Sequence, residues 1–127
     1  MRRKENEITD KALIEEIFQA GIICRVALQG DDFPYLVPVN YGYKDNCIYF
    51  HSACEGQKIE MLKKYPNVCI QIDTDIKIEE TDIACNWSTS YKSLIGFGMA
   101  SFVNDNDEKK QALDIIVKHY KKDLPED

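Results

Sequence analysis

A histidine, a serine and a lysine lie close together in the middle of the chain. His51 and Ser52 end a β-rich run, and Lys58 lies in the first turn of a predicted helix. Helix N-termini expose unpaired N–H groups and carry a positive partial charge, so a phosphate can bind there. These groups together predict a phosphate site. A capped helix with a surface lysine has the same spacing, which alone does not decide between the two.

Two β-rich runs lead into this candidate site. Tyr35–Tyr43 and Cys47–Phe50 are joined by the polar segment Lys44-Asp45-Asn46. Apolar and aromatic runs around a short polar turn are typical of an antiparallel hairpin. We therefore expect the two runs to pair, with the second run delivering His51 to the start of the helix.

A proline interrupts the first of these runs. Because Pro38 cannot donate a hydrogen bond to a β ladder, it predicts a local break or an edge strand. Beside a break, the backbone groups of Val39, Asn40 and Tyr41 could face a flat polar ligand. A simple edge strand fits the same pattern, and both interpretations stay open on the residues alone.

Composition limits the classes of function. The 127 residues predict a single domain, residues 1–127, and the formal charge of −6 argues against a general nucleic-acid binder. No apolar run is long enough to span a membrane, and the N-terminus lacks the apolar core of a signal peptide. We expect a cytoplasmic protein with no nucleic-acid or membrane partner.

The five cysteines indicate a reducing compartment and no metal site. They form no C-x-x-C pair and have no spacing typical of zinc ligands. Cys24, Cys47 and Cys69 lie in apolar strand patterns, where a free cysteine acts as a small hydrophobic residue. Cys54 is close to the candidate site, where either a reactive thiol or simple packing fits the pattern.

Apolar residues recur at helical spacing in three segments: Leu13–Phe18, Ile59–Tyr65 and Ala112–Tyr120. Asp10 or Thr9 can cap the first segment, and Gly21 can end it. Asp105 and Glu108 form a capping-box pattern before the third. We therefore predict three helices, and we expect His119, on the last of them, to lie on the surface.

Four more segments are predicted to be strands: Ile22–Leu28, Val68–Asp73, Ile76–Glu79 and Tyr91–Val103. The loop Asp82–Ser90 precedes the last strand and carries the single tryptophan, Trp87. Glycines inside that strand, Gly96 and Gly98, predict a bend. About six β runs with three outer helices indicate an α+β fold built on a small antiparallel barrel.

Several segments together carry a family resemblance: ITDKALIEEIF, CRVAL, PYLVPVNYGY, IYFHSACEGQKIEML, NVCIQID and WSTSYKSLIGFGMASFV. In this order and spacing they resemble the pyridoxamine 5′-phosphate oxidase-like flavoproteins, and within them the branch related to nitroimidazole-resistance nitroreductases. The resemblance covers nearly the whole chain. It implies an FMN-binding split β-barrel homodimer, with FMN held in grooves at the subunit interface.

The resemblance also implies which positions hold the cofactor. The isoalloxazine ring would face the backbone of Val39, Asn40 and Tyr41. The phosphate end would be held by His51, Ser52 and Lys58, and Ala53 would also contact the cofactor. The other subunit would contribute Tyr91, Lys92 and Ser93. Lysine at position 92, where arginine is common, keeps the charge but loses the bidentate fork.

Two aromatic residues keep alternative roles. His51 is the candidate catalytic residue, since its neutral-pH titration suits proton transfer, but cofactor or substrate contact is the favoured interpretation. Trp87 either covers the flavin or substrate pocket or simply packs.

One departure from the family concerns the end of the chain. Relatives continue past the last helix into a further strand, and nothing after Tyr120 has a strand pattern, so we expect a shortened or differently closed barrel.

The resemblance implies an FMN-dependent oxidoreductase that reduces a small organic acceptor, a nitroaromatic being the family-based expectation. No Rossmann glycine fingerprint is present, so a nicotinamide donor would visit the flavin site only transiently. Two alternatives stay open. One is a non-catalytic flavin carrier or redox sensor, and the other is a haem-binding protein on the related barrel with His51 or His119 as axial ligand.

Overall fold

The structure is a computed structural model that describes residues 10–51 and 56–121. Within these ranges the chain forms three α-helices and six β-strands. In chain order they are α1 (Lys11–Ala20), β1 (Cys24–Leu28), β2 (Tyr35–Val39), β3 (Gly42–Lys44), β4 (Cys47–Tyr49), α2 (Gln57–Lys64), β5 (Asn67–Glu79), β6 (Ser88–Met99) and α3 (Asn106–Lys121). The predicted α+β class is confirmed.

Two antiparallel sheets make up the β structure. Four strands form one sheet in the order β2-β1-β5-β6, and β3 pairs with β4 in a separate hairpin. In the described part of the chain the larger sheet does not close on itself, because β2 and β6 are its opposite edges. The predicted antiparallel strands are present, and the closed barrel stays a prediction.

The predicted strand Tyr35–Tyr43 is wrong in one respect, because it divides into β2 and β3. The ladder between β2 and β1 ends at the pair Val39 and Cys24. Tyr41 then turns inward and is fully buried, and a second sheet begins at Gly42. The break follows Pro38, which lies on an edge strand, where proline is tolerated.

The turn of the β3–β4 hairpin is shorter than predicted. Only Asp45 and Asn46 connect the two strands, with φ of 51° and 63°. Two left-handed residues match the twist of a two-residue hairpin turn, and aspartate and asparagine tolerate this conformation. The chain therefore reverses direction at this turn, and β4 leads to His51.

The segments predicted as two strands, Val68–Asp73 and Ile76–Glu79, are one strand, β5. An irregularity in its pairing with β6 lies between Thr74 and Lys77, and Asp75 there has φ of 55°. A bulge lets a strand continue past residues that break its alternation. Since the end of β5 pairs with Ser88 and Ser90, β6 begins earlier than the predicted Tyr91.

The helix caps predicted from the sequence are confirmed. The Asp10 side chain accepts the Ala12 N–H at 2.9 Å, and α1 ends at Gly21. The Asp105 carboxylate accepts the Glu108 N–H at 3.1 Å at the start of α3. Among the described residues, no helix is long and apolar enough to cross a membrane.

One face of the larger sheet forms the core. Val26, Leu28 and Ile72 are buried against Ile17 of α1 and Leu62 of α2. This core holds the helices against the sheet and fixes the positions at which the loops around the candidate site begin.

The opposite face carries exposed apolar side chains. The register aligns Leu36, Ala27, Cys69 and Phe97 across all four strands. We call this face, with its exposed residues Leu36, Ile95, Phe97 and Met99, the open sheet face. Phe97 is 84% exposed and Met99 is 74% exposed, so in the single chain this apolar surface is left to solvent.

Candidate functional site

A cleft of about 540 Å³ lies between the β2–β3 break and α3. Its lining residues are Pro38, Val39, Asn40, His51, Lys58, Ile116, Val117 and Tyr120. We call it the α3 cleft. Its volume is in the range of small-molecule sites. The structure thus brings together Val39, Asn40, His51 and Lys58, four of the residues implied by the family resemblance.

Three different elements deliver these residues to the cleft. Val39 and Asn40 come from the end of β2, and His51 follows β4. Lys58 lies in the first turn of α2, as predicted, and its side chain is half-buried. A break, a hairpin and a helix start therefore meet at one place, although they are separated along the chain.

The last helix forms the other wall of the cleft, which sequence reasoning missed. Its stripe containing Ile116, Val117 and Tyr120 was predicted only as the apolar side of a helix, with no part in a site. Ile116 is indeed buried, but Val117 is largely exposed and lines the cleft. The signal in the sequence was an apolar stripe wider than one contact face requires.

The lining combines apolar walls with a few polar groups. Pro38, Ile116 and Val117 supply apolar surface, whereas His51 and Lys58 supply an imidazole and an ammonium group. An ammonium group binds a phosphate or carboxylate, and an apolar wall accepts a flat ring. The residues present therefore fit a flat aromatic ligand with an anionic tail, as a flavin nucleotide is.

A tyrosine pair links the cleft to the core. The Tyr41 N–H donates to Tyr120 Oη at 2.8 Å, and Tyr120 Oη donates to the Ile22 carbonyl at 2.6 Å. Tyr41 Oη donates to the Phe18 carbonyl at 2.6 Å. Burial raises the pKa of Tyr41 and that of Tyr120, so both phenols stay neutral hydrogen-bond donors. The Tyr41 N–H is therefore engaged within the chain.

The predicted surface position of His119 is wrong. Its side chain is only 5% exposed and its ring lies 4.4 Å from the Tyr41 ring, centroid to centroid. Its Nε2 is 2.7 Å from the Gly21 carbonyl oxygen, and because a carbonyl only accepts, Nε2 carries the proton. The end of α3 packs on the connection between α1 and β1, which buries this residue. Axial ligation of a haem through that nitrogen would require breaking this bond.

The single tryptophan does not line the α3 cleft in the described structure. Trp87 is half-exposed, and its Nε1 donates to the Thr81 carbonyl at 2.8 Å. This bond closes the loop before β6. A role for Trp87 over a flavin or substrate stays a prediction.

The residues expected from a second subunit lie on β6, away from the α3 cleft of their own chain. Tyr91 is exposed, and Lys92 Nζ lies 3.1 Å from the Asp75 carboxylate. Ser93 Oγ accepts a long hydrogen bond of 3.4 Å from Gln71 Nε2. Their assignment to the cofactor site stays a prediction that needs a second chain.

Two predicted cofactor-binding residues, Ser52 and Ala53, lie outside the described residues, as does Cys54. Of the residues expected at the phosphate end of the site, the structure therefore describes His51 and Lys58. Within the described ranges, no group of three or more histidine, cysteine, aspartate or glutamate side chains is placed to hold a metal ion.

Comparison with known proteins decides the family. Residues 10–126 match the family model for pyridoxamine 5′-phosphate oxidase. The chain belongs to this family. The resemblance inferred from the sequence motifs is thereby confirmed, and it extends over all the elements that surround the α3 cleft.

Solved structures with the same fold include two that bear on the ligand. One is a Bacteroides thetaiotaomicron protein, provisionally described as a 5-nitroimidazole antibiotic resistance protein, with a TM-score of 0.80 and 39% identity. The match covers 94% of this chain and 71% of that one. The other is an FAD and haem binding protein from Mycobacterium smegmatis, with a TM-score of 0.78 and 17% identity. That match covers 94% of this chain and 60% of the other.

A curated relative is matched over a shorter stretch. It is an uncharacterised protein of Rhizobium meliloti, 39% identical over 56 residues. The matched stretch covers 44% of this chain and 36% of the relative. The alignment thus spans little more than a third of that relative's length.

Proposed function

We propose that the protein binds FMN in the α3 cleft. The observation that carries this proposal is the meeting of Lys58 and His51 with the β2 terminus, opposite the apolar side chains Ile116 and Val117. A cation and an apolar lining match the phosphate and the ring of a flavin nucleotide. The Mycobacterium smegmatis protein of the same fold, described as binding FAD, supports a flavin as the ligand class.

Each lining group has a defined part in this proposal. The Lys58 ammonium group binds the phosphate, and His51 contacts the cofactor or the bound acceptor. Pro38, Ile116 and Val117 pack against the ring and exclude water from it. When bound, the flavin supplies reversible electron transfer, which the protein tunes by position and electrostatics.

The proposed activity is the reduction of a small organic acceptor. The Bacteroides thetaiotaomicron protein, which is 39% identical, is provisionally assigned to 5-nitroimidazole resistance, so a nitroaromatic acceptor is our first choice. His51 is exposed where it lines the cleft, and an imidazole there suits a group that donates a proton to the reduced acceptor.

A second copy of the chain is the proposed partner. Monomers rarely leave a broad contiguous apolar patch to solvent, and Ile95, Phe97 and Met99 expose one along β6. On the same face Asp73 Oδ1 is buried without a hydrogen-bond partner among the described residues. A second copy would cover this surface, close the barrel, and bring its own Tyr91–Ser93 segment to the cofactor.

The described cysteines suit a reducing compartment. Cys24, Cys47, Cys69 and Cys85 are all free thiols, and two of them are exposed. Exposed free thiols are kept reduced in the cytoplasm. We therefore propose that the protein is cytoplasmic.

The first test is the visible absorption spectrum of the purified protein before and after FMN is added and excess removed. We expect flavin bands in the wild type, loss of these bands in Lys58→Ala, and their retention in Lys63→Ala, an exposed lysine of the same helix. A wild type that ignores FMN would overturn the flavin proposal, and a haem absorption band in its place would favour the haem alternative. Retention of the flavin bands in Lys58→Ala would overturn only the assignment of Lys58 to the phosphate.

A second test separates an enzyme from a carrier or sensor. Flavin-loaded protein is mixed with a reduced nicotinamide and a nitroaromatic, and steady-state oxidation of the nicotinamide is measured. Turnover is the expected outcome. If flavin-saturated protein reduces no acceptor with either a reduced nicotinamide or dithionite as the electron donor, the result would instead support a non-catalytic flavin protein.

A further inference from the structure

The hydroxyl of Tyr120 connects three separate parts of the chain. It belongs to α3 and lines the α3 cleft, it accepts the Tyr41 N–H at 2.8 Å, and it donates to the Ile22 carbonyl at 2.6 Å. The directions follow from chemistry, because an amide N–H only donates and a carbonyl only accepts. The single phenol proton is therefore used in the bond to the Ile22 carbonyl, and a lone pair of the phenol oxygen accepts the Tyr41 N–H.

The backbone that Tyr120 holds is the wall of the cleft. The β2–β1 ladder ends at Val39, and β3 begins only at Gly42, so residues 40 and 41 lie between two sheets. Asn40 lines the cleft, and the Tyr41 side chain is fully buried. A buried N–H outside a ladder needs another partner, and Tyr120 supplies it.

We propose that Tyr120 is a positioning residue of the α3 cleft, whose hydroxyl holds the Asn40–Tyr41 backbone in the conformation that faces the ligand. The inference rests on the proposed flavin function of this cleft. Without the hydroxyl, the Tyr41 N–H and the Ile22 carbonyl lose their shared hydrogen-bond partner. The Asn40–Tyr41 backbone then samples other conformations. The apparent affinity then falls in proportion to the fraction of chains that keep the competent one.

The test compares Tyr120→Phe with Tyr43→Phe. Tyr43 is a matched control because it is buried and its hydroxyl donates to the Glu15 carboxylate at 2.6 Å, yet it does not line the cleft. Two quantities are measured in each variant: hydrogen exchange of the Tyr41 amide in protein without ligand, and the dissociation constant for FMN.

We expect Tyr41 amide exchange to rise roughly tenfold or more in Tyr120→Phe but not in Tyr43→Phe. The FMN dissociation constant should rise roughly five- to tenfold in Tyr120→Phe alone, the size expected for one lost hydrogen bond. The exchange measurement needs no cofactor, so it keeps the inference separable from the flavin proposal.

Unchanged Tyr41 exchange in Tyr120→Phe would overturn the inference, whatever the wild type binds. Faster exchange with an unchanged FMN dissociation constant would overturn it too, because the hydroxyl would then hold the backbone without serving the ligand. Equal weakening of FMN binding in both variants would indicate general destabilisation and would also overturn it. A wild type that fails to bind FMN would overturn the proposed function and, with it, the positioning role toward that ligand.

Discussion

A Cβ atom added at Gly42 would lie 2.6 Å from the carbonyl carbon of Ile115, so α3 rests directly on the backbone of β3. Real Cβ atoms do not approach backbone this closely. The contact sets the distance between the two walls of the α3 cleft, because one wall belongs to α3 and the other begins beside β3.

Gly42→Ala should therefore push α3 away from β3. We expect a loss of about 1–3 kcal/mol in the free energy of unfolding, the usual cost of overpacking a close contact, measured by urea denaturation. FMN binding should weaken as well, because the cleft widens. Gly98→Ala is the control, since a Cβ there meets nothing within 4 Å, and a similar loss in that variant would contradict the explanation.

Replacing His119 should destabilise the protein although the sequence pattern places it on the surface. His119→Leu leaves the Gly21 carbonyl without its donor at 2.7 Å. A buried acceptor left without a partner costs about 1–3 kcal/mol. Thermal or urea unfolding would show this loss, while Lys118→Ala, an exposed neighbour on the same helix, should change stability by less than about 0.5 kcal/mol.

Alkaline pH should weaken the fold through Cys24. Burial, partly opposed by a hydrogen bond from the Gln71 backbone, raises the pKa of the Cys24 thiol from its ordinary value of 9.0 to about 11. The folded state thus keeps its proton where the unfolded state loses it. This contribution to stability is complete below pH 9 and is lost as pH rises from 9 to 11.

The corresponding measurement is the free energy of unfolding at pH 8 and at pH 10. Cys24 should account for roughly 1 kcal/mol of the decrease between these values. In Cys24→Ala the decrease should be smaller by about that amount, although the variant is less stable at both pH values. Cys47→Ala, which removes an exposed thiol, should leave the decrease unchanged, and the same pH slope in all three proteins would rule out this cause.

The open sheet face should mediate self-association. Phe97→Glu places a carboxylate at the most exposed apolar position of β6, where it would be desolvated in an interface. Sedimentation should show a dimeric wild type and a monomeric variant. Leu113→Glu, at an exposed apolar position on α3, should remain dimeric. A monomeric wild type at micromolar concentration would contradict the proposed partner.

Local features of this protein were predictable from neighbouring residues. The Asp10 and Asp105 caps are contacts between residues two or three apart, and both are present as expected. The position of Lys58 in the first turn of α2 also followed from helical periodicity. The break after Pro38 follows from its missing N–H, although its exact place between Val39 and Gly42 does not.

Features that depend on distant contacts were not predictable in this way. Periodicity could not reveal that β5 continues through a bulge at Asp75, since the bulge is defined by its pairing with β6. It also placed His119 on the surface, because the residues that bury it come from the beginning of the chain.

The helices, most of the strands, the family and four of the residues around the α3 cleft were predicted from the amino-acid sequence. That α3 forms a wall of the cleft, and that Tyr120 joins this wall to the core, became visible only in the folded chain. These contacts join residues that are far apart along the chain. Tyr120 bonds to Tyr41 and Ile22 across separations of 79 and 98 residues, and such contacts form only when the whole core has packed.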